Sequence, residues 1–490
     1  MGGLSTIVPR PVETTAPSRT RRRLPVLGAG PVVVAEPRPA AAMDGPRTIH
    51  FVSLGCPKNR VDTEVMAGVA DRAGYRLVAE PEQASVIVVN TCGFIGPAKE
   101  ESVDTILEMG RYKEAGSCER LVVAGCLAQR YPQELAAEMP EVDHFVGTSD
   151  LLALAPVLEG DSARMSVSDP GRYVYSAQTP RLRSTARHLA WVKIAEGCSR
   201  HCAFCVIPSM RGTQRSRTVA DIVAEVRALV EGGAVEVNLV SQDTIAFGRD
   251  LKDGTTLAAL LRALARVDGL GWLRVFYLYP EQMSDELLDV LADEPRIVKY
   301  VDMPLQHASG AMLKAMKRGV EAERQRRVVE RVRARIPGVT LRTAFIVGHP
   351  GETDEDFEEL CELVRWARFE HMGVFRYSDE EGTGSATLAG KVPAKIAAAR
   401  HRKLMTLQRK LARAANRARI GQELDVLVEG TSEESEFLLQ GRHAGQAPEI
   451  DGLVYLANCG ETPPSAGTIV RATVTQAADY DLVATLEEAP

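Results

Sequence analysis

Between Thr48 and about residue 126, short apolar runs alternate with stretches whose apolar positions have a helical period. Residues 48–54 (TIHFVSL), 85–90 (SVIVVN) and 120–124 (RLVVA) are runs of strand length. Between the first two, Val65, Met66, Val69 and Ala73 fall on one helical face within 62–74, closed by Gly74. A further helix is predicted over about 97–115. Near-continuous apolar strands alternating with helices predict a small parallel α/β domain covered on both faces. Each strand is followed at once by a turn that carries a cysteine: Gly55-Cys56-Pro57, Thr91-Cys92-Gly93 and Gly125-Cys126. Open α/β sheets bind ligands at this carboxyl edge.

The texture changes twice more. Residues 160–186 have no apolar period and read as a linker. From 187 a strand-then-helix unit repeats. The strands are predicted at 190–195, 235–241, 273–279, 298–303, 339–347 and 371–377. The helices lie near 218–231, 256–268, 282–293, 309–335 with a break at Gly319, and 354–369. Six units predict a partial (β/α)6 barrel, two short of a closed eight-fold barrel. Residues 391–419 are helical in pattern and hold ten Lys or Arg with no Asp or Glu. Short alternating strands follow, among them 424–428, 453–457 and 469–474, and predict a small β-barrel. The chain is thus α/β and multidomain. A Pro-, Ala- and Arg-rich arm covers 1–46, an α/β domain 47–160, a linker 161–186, a barrel with its basic helix 187–418, and a β-barrel 419–490. The arm lacks the apolar content to fold and is expected to be disordered. Arg21-Arg22-Arg23 followed by Leu24 faintly resembles an export signal, but Pro25 and Pro31 break its short apolar part.

Composition narrows the class. With 490 residues, 45% hydrophobic and 25% charged, the chain has ordinary globular composition. It has no run near the roughly 20 apolar residues of a membrane span, so a cytoplasmic protein without a membrane partner is expected. Nine cysteines in so long a chain do not form a secreted disulfide framework. They read as reduced thiolates, six of them in settings suited to metal.

Cys198-x-x-x-Cys202-x-x-Cys205 follows the first barrel strand, at the end where such folds place their active sites. Three close thiolates without a fourth cysteine suit a cubane iron–sulfur cluster with one iron left open to a small molecule. The competing reading is zinc, which usually takes four ligands in closed structural sites. Phe204 either shields this cluster or packs in the core. Cys56, Cys92 and Cys126 sit at equivalent strand ends, so folding brings them together despite separations of 36 and 34 residues. They predict a second three-ligand cluster, whose open iron could hold a sulfur nucleophile; the alternative is three buried thiols. Cys118, Cys361 and Cys459 lack partners and read as ordinary thiols.

The spacing of 198–205 resembles the radical S-adenosylmethionine superfamily. Together with Ser53–Asn59, Asn90–Ile95, Gly125–Tyr131, Lys193–Cys198, Ile207–Gly212 and Gln306-His307, it resembles the methylthiotransferase family within it over about 48–488. Pro57-Lys58-Asn59 and Tyr377–Thr383 fit the branch that modifies a ribosomal protein better than the branch that modifies tRNA. His349 departs from the pattern, which has an aromatic residue there. The resemblance implies two 4Fe-4S clusters, S-adenosylmethionine bound at the open iron next to Cys198, Cys202 and Cys205, and a 5′-deoxyadenosyl radical. A TRAM-type barrel would close the chain. The implied reaction is methylthiolation of the β-carbon of an aspartate in small-subunit ribosomal protein twelve. One S-adenosylmethionine would give the methyl group and another the radical, with a reductant such as flavodoxin or ferredoxin and a sulfur donor as partners. Gln242, Gly348, Pro350 and Gly351 are candidate contacts to S-adenosylmethionine, each with a plain turn as its other reading; Gln306 and His307 end strand four and are weaker candidates. No catalytic residue is expected beyond the cluster ligands.

Charge bears on the substrate independently. Residues 419–490 hold thirteen Asp or Glu against three Arg and no Lys, a net charge of −10. Such a barrel repels nucleic acid and attracts a basic protein. The basic 391–419 segment reads as a solvated face, a partner for the acidic barrel, or a contact to ribosomal RNA. A tRNA adenosine methylthiotransferase is the nearest rival reading, and a non-catalytic two-cluster electron carrier a more distant one.

Overall fold

A computed structural model describes residues 47–486 apart from Ser117, Val320 and Glu461. The arm at 1–46, with its arginine run, lies outside the described residues.

Six parallel strands form the first sheet: β1 (Thr48–Ser53), β2 (Arg76–Leu77), β3 (Val86–Thr91), β4 (Arg120–Gly125), β5 (His144–Val146) and β6 (Met165–Ser166), in the order β2-β1-β3-β4-β5-β6. The period of two is visible in the core. Val86 and Val88 of β3 pack on one face with Val122 and Ala124 of β4. Ile87 and Val89 pack on the other with Leu121 and Val123. The first helix spans Pro57–Arg72 and begins earlier than its apolar face suggests. Pro57 suits the first helical turn, where no N–H partner is needed.

The 161–186 segment is not a free tether. It supplies the edge strand β6, paired Phe145 to Met165. It then runs back along the first helix, where Gly68 admits the chain: a Cβ there would meet the Arg181 nitrogen at 2.4 Å. Arg181 pairs with Glu64 at 2.6 Å and with Glu225 of the next domain at 2.5 Å. Neither contact has a signal in the local pattern.

The barrel contains β7 (Leu189–Lys193), a two-residue hairpin of β8 (Ala195–Glu196) and β9 (Arg215–Ser216), then β10 (Glu236–Val240), β11 (Trp272–Val275), β12 (Tyr300–Asp302), β13 (Thr340–Val347) and β14 (His371–Arg376). Strands β7, β10 and β11 pair in parallel, as do β12, β13 and β14. The halves join where the Val298 N–H donates to the Leu273 carbonyl at 3.0 Å. The predicted long helix breaks as expected into Gly310–Ala315 and Ala322–Arg335, with Gly319 at φ +68° between them. The barrel's inner face is filled from outside the barrel. Trp191, Phe276 and Tyr300 share one buried cluster with Val61, Val65 and Met66 of the first helix and with Leu427 and Ala447 of the last domain.

The last domain follows the helix Ala394–Arg417. Its strands β15 (Glu423–Thr431), β16 (Leu439–His443), β17 (Val454–Ala457), β18 (Ile469–Ala477) and β19 (Leu482–Leu486) close in the order β15-β16-β17-β19-β18. It docks at the amino ends of the barrel strands. Arg442 pairs with Glu236, the first residue of β10, at 2.6 Å, and Arg274 holds the same carboxylate at 3.0 Å. Part of the basic helix is paired: Arg400 with Asp354 at 2.7 Å, Lys403 with Glu358 at 2.9 Å, and Arg413 with Asp479 of the β-barrel at 3.7 Å.

Candidate functional site

The carboxyl ends of the first sheet and the mouth of the barrel face each other. Cys198, Cys202 and Cys205 lie on the loop after β8. Gly197 lets this loop lie flat: its φ is +80°, and a Cβ would meet the Thr213 carbonyl at 2.1 Å. Each sulfur meets a donor. Arg200 N–H lies 3.5 Å from the Cys198 sulfur, the Arg318 guanidinium 3.4 Å from Cys202, and the Ile207 N–H 3.4 Å from Cys205. Burial, with Asp243 and Cys202 adding, pushes the Cys198 thiol up to about 11. Burial and the two other sulfurs push Cys205 up to about 12.

The other three cysteines are also brought together. Cys56 caps the first helix, Cys92 follows β3, and Cys126 opens the short helix Cys126–Arg130. A Cβ on Gly55, at φ +86°, would meet the Cys92 sulfur at 3.1 Å, and one on Gly93 would meet the Cys126 carbonyl at 2.9 Å. Glycine at both places lets the three loops touch. Burial, then Cys126 and Cys56, raise Cys92 to about 12; burial raises Cys126 against the pull of Arg211.

This chemistry fits an iron–sulfur group. Two sets of three soft donors stand apart, with N–H donors at the sulfurs of Cys198, Cys202, Cys205 and Cys126. Among the described residues, no three His, Cys, Asp or Glu side chains close around one point for a single ion. Burial favours the neutral thiol of Cys126 even beside Arg211; a bound metal supplies the stronger positive charge that makes a coordinating thiol a thiolate.

A buried charged network joins the two sets. Arg211, 2% exposed, lies 3.3 Å from the Cys126 sulfur and 2.6 Å from the Asn59 amide oxygen. It pairs with Asp62 at 2.7 Å and with Glu196 at 3.2 Å, two residues before Cys198. Lys193, the last residue of β7, bonds Asp62 and Glu196 as well. Burial alone would raise Glu196; Lys193 and Arg211 hold it near about 2. Asn59 donates to the carbonyls of Leu54 and Thr91 and so ties β1 to β3.

Gln242 lies two residues past β10, and its side-chain amide donates to Glu196 at 2.8 Å. Its own carbonyl oxygen is buried without a partner, as are Asp243 Oδ1 and Gln214 Oε1 beside the 198–205 loop. These three acceptors suit a ligand rich in N–H groups. The backbone at Gly348, Pro350 and Gly351 is bonded within the protein. The Gly348 N–H donates to Glu352, its Cβ would strike Ala397, and the Gly351 N–H donates to the Gly390 carbonyl. His349 fills the place expected of an aromatic residue: it lies edge-on to Tyr377 at 5.1 Å and bonds the Ser385 hydroxyl at 2.8 Å. His307 is fully buried against Ser309 and Glu352, and Gln306 bridges to Phe345 at φ +73°. Cys118 and Cys361 are buried and Cys459 half-buried, each apart from the two sets. Sequence reasoning missed Asp62, Arg200, Tyr279 and Arg318. The Arg200 and Arg318 guanidinium groups both lie over the Tyr279 ring, 3.4 and 4.1 Å from its centre; a contact of three residues spread over about 120 positions has no local signature.

Family models match in three parts: the Uncharacterized protein family UPF0004 over residues 48–147, the Radical SAM superfamily over 192–364 and the TRAM domain over 420–486. A relative from Sorangium cellulosum (strain So ce56), named ribosomal protein uS12 methylthiotransferase RimO, is 60% identical over 446 residues, covering 90% of this chain and 91% of its own. A relative of the same name from Myxococcus xanthus (strain DK1622) is 51% identical and covers 91% and 93%. The solved radical S-adenosylmethionine methyltransferase TsrM from Kitasatospora setae shares the fold with a TM-score of 0.51 at 17% identity, over 68% of this chain and 75% of that one.

Proposed function

The chain belongs to the family of ribosomal protein uS12 methylthiotransferases named RimO, and on that premise we propose how its own residues divide the reaction. It is a radical S-adenosylmethionine enzyme with two 4Fe-4S clusters that methylthiolates the β-carbon of an aspartate in uS12. Cys198, Cys202 and Cys205 would hold one cluster; Cys56, Cys92 and Cys126 would hold the other. When bound, the first supplies, with S-adenosylmethionine, the radical that opens the C–H bond, and the second supplies the sulfur. The chain positions, shields and neutralises. Arg318 and the amides of Arg200 and Ile207 donate to the first set of sulfurs, which offsets their negative charge. Gln242, Asp243 and Gln214 offer acceptors to the amino groups of S-adenosylmethionine. Gly348, Pro350 and Gly351 would act at most by shaping the rim. The first domain's helix fills the barrel's inner face and keeps water from the reacting atoms. A reductant of the flavodoxin or ferredoxin kind, a sulfur donor and a cytoplasmic setting belong to this reading. So does a division of the chain into 47–160, 161–186, 187–418 and 419–490. Among the described residues, no helix is long and apolar enough to cross a membrane.

The observation that supports the assignment of roles is that buried Arg211 meets the Cys126 sulfur of one cysteine set and pairs with Glu196, two residues before Cys198 of the other. Anaerobically reconstituted chain should bind about eight irons, as two cubanes require. Changing Cys198, Cys202 and Cys205 to Ala should leave about half of that iron and end 5′-deoxyadenosine formation. Changing Cys56, Cys92 and Cys126 should also halve the iron, but keep 5′-deoxyadenosine and end methylthiolation of uS12. Cleavage of S-adenosylmethionine by the first triple variant, or wild-type product from the second, would reverse the assignment.

A further inference from the structure

We propose that Lys58 receives the carboxylate of the target aspartate and thereby selects a protein substrate; this rests on the function proposed above. Lys58 stands two residues after Cys56, in the first turn of the helix Pro57–Arg72, and is 8% exposed. Its ammonium lies 3.6 Å from the centre of the Tyr277 ring. Tyr277 is just past the carboxyl end of β11, at the barrel mouth. Its N–H donates to Asp302 at 2.9 Å and its carbonyl accepts from the Thr244 N–H at 3.2 Å. Its φ of +60° is costly for an aromatic residue, and such strain gathers at functional sites.

The groups that face the Lys58 ammonium are Tyr277 and the Cys56 sulfur, with the Arg211 guanidinium beyond. Among the described residues no carboxylate pairs with it, and the acids around it are already engaged. Asp62 holds Lys193 and Arg211. Glu196 holds the same two cations and accepts from Gln242. Asp302 holds Arg342 at 2.7 Å. An aromatic face and a single sulfur offset only part of the cost of burying an ammonium. The place is set up for an incoming anion.

The substrate brings such an anion. An aspartate carboxylate is one bond from the β-carbon, so holding it fixes the reacting carbon to within that bond. Lys58 would hold it between the sulfur-bearing set at Cys56 and the radical-generating set at the barrel mouth. An adenosine offers no carboxylate, so the same cation discriminates against tRNA.

The alternative is that Lys58 only neutralises the Cys56 thiolate. A double-mutant cycle separates the two. Reconstituted full-length chain, wild type or Lys58→Met, is titrated anaerobically with uS12 and with uS12 whose modified aspartate is replaced by asparagine. Wild type should bind the aspartate form about tenfold more tightly or better, as expected for a close charge pair. Lys58→Met should bind the two forms alike, and Lys58→Arg should keep part of the preference. Full preference in Lys58→Met overturns the assignment. So does equal weakening of both forms together with loss of iron from the second set, which would tie Lys58 to the cluster. If Lys58→Met does not fold, wild type alone decides: equal binding of the two forms overturns the assignment while leaving the enzyme's function intact. Binding of neither form fails the functional reading and the assignment with it.

Discussion

Arg211 shows how much one side chain carries here. It shares Asp62 and Glu196 with Lys193, and it is the donor that meets both Cys126 and Asn59. Removing one member of a buried ionic network leaves charge without compensation, which costs about 3–5 kcal/mol. We therefore expect Arg211→Met to lower the unfolding free energy of the metal-free chain by about 3 kcal/mol in urea titrations at neutral pH. A change below about 0.5 kcal/mol, the level of an ordinary surface substitution, would show that the network is not coupled. At this scale the sequence was a good guide to sulfur and a poor guide to charge. All six cysteines singled out by their turns fall into two sets of three. Cys56, Cys92 and Cys126 each follow a strand of one sheet, whose ends meet, and Cys198, Cys202 and Cys205 share one short loop. The partners of Arg211 lie 149, 85 and 15 residues away in the chain, and nothing in a local pattern links such positions. Gln242 kept an unpaired buried oxygen, whereas Gly348 and Gly351 were marked by their backbone freedom, which the structure uses for packing against Ala397 and Gly390.

Turns and short loops position the sulfurs, and glycines make those loops possible. Gly197 and Gly74 have nearly the same backbone, φ +80° and +82°, but different surroundings. A Cβ on Gly197 would sit 2.1 Å from the Thr213 carbonyl; one on Gly74 would meet nothing within 4 Å. Gly74→Ala should therefore cost only the backbone term, about 1–2 kcal/mol. Gly197→Ala carries the same term plus a clash with main chain that cannot rotate away, so the loop itself must shift. We expect it to lose about half the iron of the reconstituted protein while Gly74→Ala keeps all of it, with iron assay and thermal melting as the measurements. Equal iron in the two variants would mean that the 198–205 loop tolerates displacement. The elements were otherwise legible, since continuous apolar runs and a helical period fix strands and helices directly. What escaped were β2, β5 and β6, of two or three residues each, too short to show any period. The early start at Pro57 also escaped, because the first turn is polar and yet buried against other domains: Lys58, Asn59 and Asp62 are all under 9% exposed.

The arrangement of domains was the least legible level, because it depends on pairs that no single segment announces. Glu236, Arg274 and Arg442 are fully buried and join two domains. In sequence each is one charged residue in a strand. Burial alone would raise Glu236, and the two arginines hold it below the ordinary carboxylate range. That shift stabilises docking above the unfolded carboxyl range and is lost as pH falls through the folded value. The docked β-barrel keeps its charged surface outward, but not all of its acids are free. Glu449 pairs with Arg60 of the first domain at 2.9 Å, so its charge serves the assembly of the chain. Glu433, Glu434 and Glu436 are exposed on the turn between β15 and β16, around Phe437, which is 84% exposed. An acidic turn with a bare aromatic tip suits a basic protein: the charges steer the encounter and the ring supplies apolar contact. Steering by exposed charges depends on salt, because the screening length falls from about 10 Å at 0.1 M to about 3 Å at 1 M. Changing Glu433, Glu434 and Glu436 to Gln should slow association with uS12 several-fold at 0.05 M salt and leave it nearly unchanged at 1 M. Phe437→Ser should instead speed dissociation at both. Stopped-flow rates across the salt series read both effects. If the triple variant associates like wild type at every salt concentration, this turn does not steer uS12; tighter binding of tRNA by the variant than by wild type would show that its acids serve to repel nucleic acid.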